Sequence, residues 1–183
     1  MIYNGVIDTS LVGRITIKCS ENGITHILRN QEPIEENENE IIQEAKSQLK
    51  AYFKGKLKKF DLPLDIEDAS PFFKSVWKEV YDIPYGKTVT YKYLAQKLNN
   101  PKAIRAVGLA NAKNRIPIII PCHRVIGHDG SMTGFAWGID TKRNMLHLEN
   151  PQLYGIQTEM LFLKGIISEY FTEVKCSMSY SLI

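Results

Sequence analysis

Asn114-Arg115-Ile116-Pro117-Ile118-Ile119-Ile120-Pro121-Cys122-His123-Arg124-Val125 carries the strongest chemical signal in this 183-residue chain. Three isoleucines between Pro117 and Pro121 read as a buried segment that ends in a turn. At its end a thiol stands beside an imidazole and a guanidinium. A thiol is a nucleophile only as its thiolate, and neighbouring basic or cationic groups favour that form. The Pro121–Val125 pentad is therefore the expected chemical centre. The fold has to bury the isoleucines and bring a substrate to the sulfur.

The residues just before this stretch read as a helix-turn-helix. Thr90 suits the cap of a short helix, Tyr91 to Leu98, with Leu94, Ala95 and Leu98 apolar. Asn99-Asn100 makes the turn, and Pro101 is expected to start a second helix that runs to about Lys113. Ala103, Val107 and Ala110 share one side of it and should pack inward. Arg105 lies roughly 200° from Val107 at about 100° per residue, so it points outward. Gly108 and Ala112 share the Arg105 face, where small side chains admit close approach of a nucleic acid backbone. Two short helices with a tight turn are the unit with which many proteins read DNA.

Charge supports such a partner. Residues 74–125 carry 10 basic and only 2 acidic side chains, whereas residues 1–73 carry 9 basic and 12 acidic. A block that basic beside a reactive thiol points to a polyanion.

The N-terminal third reads differently. Arg14-Ile15-Thr16-Ile17-Lys18 alternates polar and apolar residues as a strand does. Gly23 to Leu28 is a second strand, and Asn22-Gly23 a hairpin signal. An acidic segment around Glu35–Glu40 opens a helix whose stripe is Ile41, Ala45, Leu49 and Phe53, with Gly55 as its stop. Phe60-Asp61-Leu62-Pro63-Leu64 reads as an edge strand. Ser70 and Pro71 then suit the cap and first turn of a helix with Phe72, Phe73, Val76, Trp77 and Val80 on its apolar face. That helix should end before the Pro84-Tyr85-Gly86 turn. The expected class is α+β: a small α/β domain (1–67) packed on a mostly helical, winged-helix-like domain with the helix-turn-helix (68–150). Residues 151–183 form an extension, with Leu153, Ile156, Met160, Leu163 and Ile167 at helical spacing.

No run of about 18 apolar residues suggests a membrane span. Met1-Ile2-Tyr3-Asn4 lacks the pattern of a secretory leader. Three scattered cysteines, Cys19, Cys122 and Cys176, fit a reducing compartment. A cytoplasmic location (nucleoid, or nucleus in a eukaryote) is expected.

These residues together resemble the O6-alkylguanine-DNA alkyltransferases. The resemblance rests on Tyr91-Lys92-Tyr93-Leu94-Ala95, Asn100 to Gly108, Asn114 to Val125, Ser70-Pro71-Phe72 with Val76-Trp77, and Tyr52-Phe53-Lys54-Gly55-Lys56 before Phe60 to Leu64. It covers roughly residues 8 to 150. It implies a single-turnover repair protein, without a cofactor, that takes an alkyl group from O6 of guanine in double-stranded DNA onto Cys122. It implies a monomer with no obligate protein partner.

The resemblance also implies roles. His123 is the general base, acting through a water, and Glu149 orients it. Asn114 ties the active-site turn to the helix-turn-helix. Tyr91 donates a proton to the purine as guanine leaves. Arg105 fills the stack where the alkylated nucleotide was flipped out, and the second helix enters the minor groove. Lys102, Ala106, Gly108, Ala112 and Arg124 are further expected DNA contacts. Phe135, Ala136, Trp137 and Val125 are expected around the guanine, with the Cys122 and Val125 carbonyls reading its amino group. Trp137 is bulky where some family members have glycine, so a narrow pocket that favours methyl over benzyl is expected. Asp140 suits the cap of the helix that ends at Glu149. Some members bind zinc in the N-terminal domain. Cys19 and His26 alone do not make a tetrahedral site, so no metal is expected.

Three other readings fit parts of the pattern. They are a lesion-binding protein of the same fold without transfer, a helix-turn-helix regulator with Cys122 as a sensing thiol, and a cysteine hydrolase. The cysteine, histidine and glutamate together disfavour the first. The basic block and helix-turn-helix disfavour the last.

Overall fold

The computed structural model describes residues 1–29 and 34–155. It has the expected α+β character. Three antiparallel strands, β1 (Tyr3–Thr9), β2 (Gly13–Cys19) and β3 (Ile24–Arg29), form a meander in the order β1-β2-β3. Helix α1 (Glu40–Phe53) packs across β1 and β2. Ile7, Ile15, Ile17, Ile24 and Ile27 meet Ile42, Ala45, Leu49 and Tyr52 in this part of the core. Fully burying each large apolar side chain contributes about 1.5–3 kcal/mol, which offsets the cost of ordering the chain.

Three sequence readings shift here. The buried stripe of α1 is Ile42, Ala45, Leu49 and Tyr52, with Ile41 and Phe53 only half-buried. Ala45 and Leu49 keep their places while the two ends move in opposite directions, because 3-4-3 spacing follows 3.6 residues per turn more closely than repeated fours. Phe60 to Leu64 forms no strand. Only Leu64 bridges Ile24, through Ile24 N–H to the Pro63 carbonyl and Asp65 N–H to the Ile24 carbonyl. Pro63 has no N–H with which to extend a ladder. Strand β1 has no counterpart in the sequence reading.

Helix α2 (Pro71–Tyr81) starts where expected, with the Ser70 side chain accepting from Phe73 N–H. Strand β4 (Val89–Thr90) leads directly into α3 (Tyr91–Lys97), capped by Thr90. Asn99 takes a left-handed conformation (φ 55°) that closes α3, as Asn does more readily than most residues. Helix α4 (Ile104–Ala112) begins three residues later than Pro101 suggests. Residues 101–102 are a turn, and no side chain caps the helix start. Helices α2, α3 and α4 pack on one another, and Trp77 Nε1 donates to the Ala110 carbonyl at 2.7 Å.

After α4 the chain makes the turn that holds the thiol, then β5 (Val125–Ile126), which runs parallel to β4. Helix α5 (Ile139–Glu149) and the short α6 (Pro151–Tyr154) follow. Asp140 lies inside α5 and pairs loosely with Arg143; Gly138 (φ 89°) takes the cap position instead. The helical spacing read across residues 156–167 lies outside the described residues.

The two halves are joined at several points. The outer edge of β3 receives the Arg115 carbonyl on Ile27 N–H, and the Arg115 guanidinium pairs with Asp68. Arg29 donates to the Trp137 carbonyl at 3.3 Å and to Thr141 Oγ1 at 3.4 Å. Tyr52 reaches Glu149.

Candidate active site

The turn around the thiol is built on an unusual backbone. Ile118 has φ 79°, a genuine outlier for a β-branched residue, of a kind that costs on the order of 1–3 kcal/mol. Asn114 helps hold it. Its Oδ1 accepts from Ile116 N–H at 3.0 Å and its Nδ2 donates to the Ile120 carbonyl at 2.8 Å. Cys122 N–H then returns to the Ile120 carbonyl around Pro121, and Cys122–Arg124 form one 3₁₀ turn. The buried isoleucines anchor the turn below.

Cys122 faces a cleft of about 290 Å³ lined by Tyr91, Gly108, Asn111, Ala112, Asn114, Gly134, Phe135 and Ala136. The cleft thus lies between α3, α4 and the loop that precedes α5. The cysteine residue is only 4% exposed. Burial pushes its thiol up to about 11, against the lowering effects of Asn114 and the Lys142 charge. Burial thus favours the protonated thiol over the thiolate. A larger depression of about 460 Å³ lies against Arg124, between Lys58–Phe60 and Tyr81–Tyr85, with no thiol or imidazole among its lining residues.

Behind the cysteine is a buried polar network. His123 Nε2 lies 2.8 Å from Glu149 Oε1. Next to an ionised carboxylate, Nε2 carries the proton, so Nδ1 presents its lone pair. Among the described residues, none hydrogen-bonds Nδ1. Burial pushes the imidazole below its ordinary value against the pull of Glu149, so His123 is neutral. Burial alone would raise Glu149, but hydrogen bonds and charges from His123 and Arg124 hold it well below the usual carboxylate range.

Glu149 is saturated with donors. Arg124 Nε approaches Oε2 at 2.9 Å and Arg124 Nη2 approaches Oε1 at 2.8 Å. Tyr52 Oη donates to Oε1 at 2.7 Å, and Gly86 N–H to Oε2 at 3.1 Å. Gly86 sits in the Pro84–Lys87 turn at φ 72°, where a Cβ would come within 3.0 Å of the Glu149 carbonyl. A carboxylate at a helix C-terminus opposes the helix dipole. This one is held there by its partners.

The structure brings Cys122, His123, Glu149, Asn114, Tyr91, Gly108, Ala112, Phe135 and Ala136 to one place. Lys102, Arg105 and Ala106 lie exposed on the helix-turn-helix. Arg124 is corrected from an exposed contact to a buried side chain bonded to Glu149 and to the Ile83 carbonyl. Trp137 does not line the cleft but packs edge-on against Phe135, with ring centroids 6.0 Å apart. Val125 is buried, and its carbonyl accepts from Lys142 Nζ at 2.6 Å. The Cys122 carbonyl likewise already accepts from Asn111 Nδ2 at 3.3 Å.

Lys142 and Asn111 carry no sequence motif that marks them as part of the site. Lys142 is fully buried, and its Nζ also donates to the Thr133 carbonyl at 3.1 Å. Burial pushes it down to about 8, with Cys122 pulling the other way. Tyr91 Oη makes a long contact of 3.4 Å to the same Thr133 carbonyl. The loop over the cleft is thus tied down from both sides. Leu109, one turn after Arg105, is 54% exposed, so the outward face of α4 is not built of small residues alone.

A thiol that opens on a cleft between a helix-turn-helix and a loop, backed by a histidine and a carboxylate, defines a protein that performs covalent chemistry at a single cysteine. Residues 2–66 match the ribonuclease-like domain of 6-O-methylguanine DNA methyltransferase, and residues 71–151 match its DNA binding domain. A methylated-DNA–protein-cysteine methyltransferase of Methanosarcina barkeri is 48% identical over 160 residues, which cover 83% of this chain and 99% of that protein. Crystallised Mycobacterium tuberculosis O6-methylguanine methyltransferase is 38% identical with TM-score 0.74, covering 83% of this chain and 94% of its own. The same organism's OGT in complex with DNA is 39% identical with TM-score 0.71, covering 80% of this chain and 91% of its own. The chain belongs to the methylated-DNA–protein-cysteine methyltransferase family.

Proposed function

We propose that this protein repairs DNA by moving an alkyl group, methyl above all, from O6 of guanine in double-stranded DNA to Sγ of Cys122. The observation that carries the reading is the position of Cys122 on the cleft beside α4, with His123 and Glu149 behind it.

A pKa of about 11 makes ionising the free thiol at pH 7 cost roughly 5 kcal/mol, at 1.36 kcal/mol per unit. The proton therefore leaves as the substrate reacts. His123 Nδ1 accepts it through a bridging water. The sulfur attacks the alkyl carbon, the C–O6 bond breaks, and an S–C bond forms. Tyr91 gives a proton to the departing purine, and the proton held on His123 restores the tyrosine. The sum is thiol plus O6-alkylguanine giving thioether plus guanine. A thioether is a poor leaving group, so each molecule acts once.

The target atom is stacked inside the duplex, and extruding a nucleotide costs a few kcal/mol. Arg105, exposed on α4 beside Lys102, is suited to occupy the vacated stack while α4 lies in the minor groove. Residues 1–67, 68–150 and 151–183 are proposed as the domain divisions. No described helix is long and apolar enough to cross a membrane.

Duplex DNA carrying a radiolabelled O6-methylguanine tests this reading. Label should move to the protein, saturate at one equivalent and vanish in Cys122→Ala. Release of label as free methanol would instead favour hydrolysis. Binding without transfer would favour a lesion reader.

A further inference from the structure

Tyr52 lies near the end of α1, in the half of the chain that carries neither the thiol nor the helix-turn-helix. It is fully buried, enclosed by Phe53 and Phe60 at 5.3 Å and Tyr85 at 6.0 Å between ring centroids. Packing alone would be served by phenylalanine. Its hydroxyl instead ends 2.7 Å from Glu149 Oε1, across 97 residues of sequence.

We infer that Tyr52 is a positioning residue of the alkyl-transfer site: the N-terminal domain reaches the reaction through this phenol, which fixes Glu149 and tunes the basicity of His123. This rests on the reading of His123 as the base. Burial, reinforced by the charge of Glu149, pushes Tyr52 well above the ordinary tyrosine value, so it stays a donor. Oε1 then serves donors from three residues, Tyr52, His123 and Arg124. An acceptor shared three ways holds each proton less strongly. Without the phenol, more of the carboxylate charge turns to His123 and stabilises its protonated form.

The other groups that act on this pair come from the C-terminal half. Arg124 and Lys142 disfavour a charged His123, and Tyr85 feels the charge of Glu149. Among the described residues, Tyr52 is the one N-terminal side chain hydrogen-bonded to Glu149.

The test is the pH profile of methyl transfer from a methylated duplex to the full-length protein. In Tyr52→Phe the plateau rate should fall by about threefold or more. The acid limb should move to higher pH by about half a unit to one unit, the share of a charge-assisted hydrogen bond that reaches the imidazole. A ring-fluorinated tyrosine at position 52, a stronger donor, should move the limb to lower pH. An acid limb that stays put in folded Tyr52→Phe overturns the inference, whatever the rate. If that variant does not fold, the fluorinated protein decides by the same criterion. Wild-type protein that transfers no methyl to Cys122, or shows no acid limb, instead refutes the underlying reading.

Discussion

Lys142 Nζ donates to the Val125 carbonyl at 2.6 Å, three residues past the reactive cysteine, and among the described residues no carboxylate pairs with it. A fully buried ammonium held only by carbonyls is a costly arrangement. Its return is local: it pins the loop over the cleft and sets a positive charge near the sulfur.

Replacing Lys142 by Met should therefore slow methyl transfer by about tenfold or more, while Arg restores part of the rate. Stability gives a second readout. The folded-state value of Lys142 is depressed to about 8 from an ordinary 10.5. Below pH 8 both states hold the proton. Above it the unfolded chain binds more protons, so stability should rise by up to about 3 kcal/mol towards pH 10.5. The raised Cys122 thiol opposes this trend, so urea titrations belong in a Cys122→Ala background. The rise should be absent once Lys142 is Met.

Glu149→Gln leaves the Arg124 guanidinium buried without its anion. Breaking such a pair costs about 3–5 kcal/mol. Methyl transfer should fall by about 100-fold with the loss of an oriented base. Asp140→Asn, exposed on the same helix, should change stability by less than about 0.5 kcal/mol. Denaturant midpoints and single-turnover rates check both. Because Glu149 is depressed on folding, its contribution is present above the unfolded carboxylate value of about 4.3 and lost as pH falls towards its folded value.

Arg105→Ala should lower the rate on methylated duplex strongly and leave reaction with free O6-methylguanine nearly unchanged. Lys102→Ala should weaken duplex binding evenly across sequences and reduce the salt slope by about 1. Arg124→Ala should instead unfold at lower denaturant. Equal losses on duplex and free base would remove the role given to Arg105.

The cleft, at about 290 Å³, is at the small end for ligand pockets of about 300–1,000 Å³. Methyl transfer should outpace benzyl transfer. Trp137 acts from behind Phe135, so Trp137→Ala should raise the benzyl rate more than the methyl rate. Equal rates for both groups in the parent protein would contradict a narrow site.

Features written in adjacent residues were legible in the sequence. Ser70-Pro71 and Thr90 mark helix starts because a hydroxyl satisfies a free N–H one turn on. The pentad was legible from the chemistry of its neighbouring side chains, and Glu149 through family resemblance. What depends on partners far along the chain was not. Gly5 weakens β1 as a strand signal, yet it is there because a Cβ would collide with Ile42 of α1. Arg124 counts as surface charge until Glu149 is seen to hold it. A lysine under two carbonyls, an isoleucine in a left-handed turn and a tyrosine on a distant carboxylate leave no local trace.

The thiol itself offers the most direct measurement. Full-length protein incubated with duplex bearing O6-methylguanine, then digested and weighed, should show about 14 daltons added to the Cys122 peptide alone, with ordinary guanine restored in the DNA. An unchanged Cys122 peptide, or the same increment on Cys19, would contradict alkyl transfer to this sulfur.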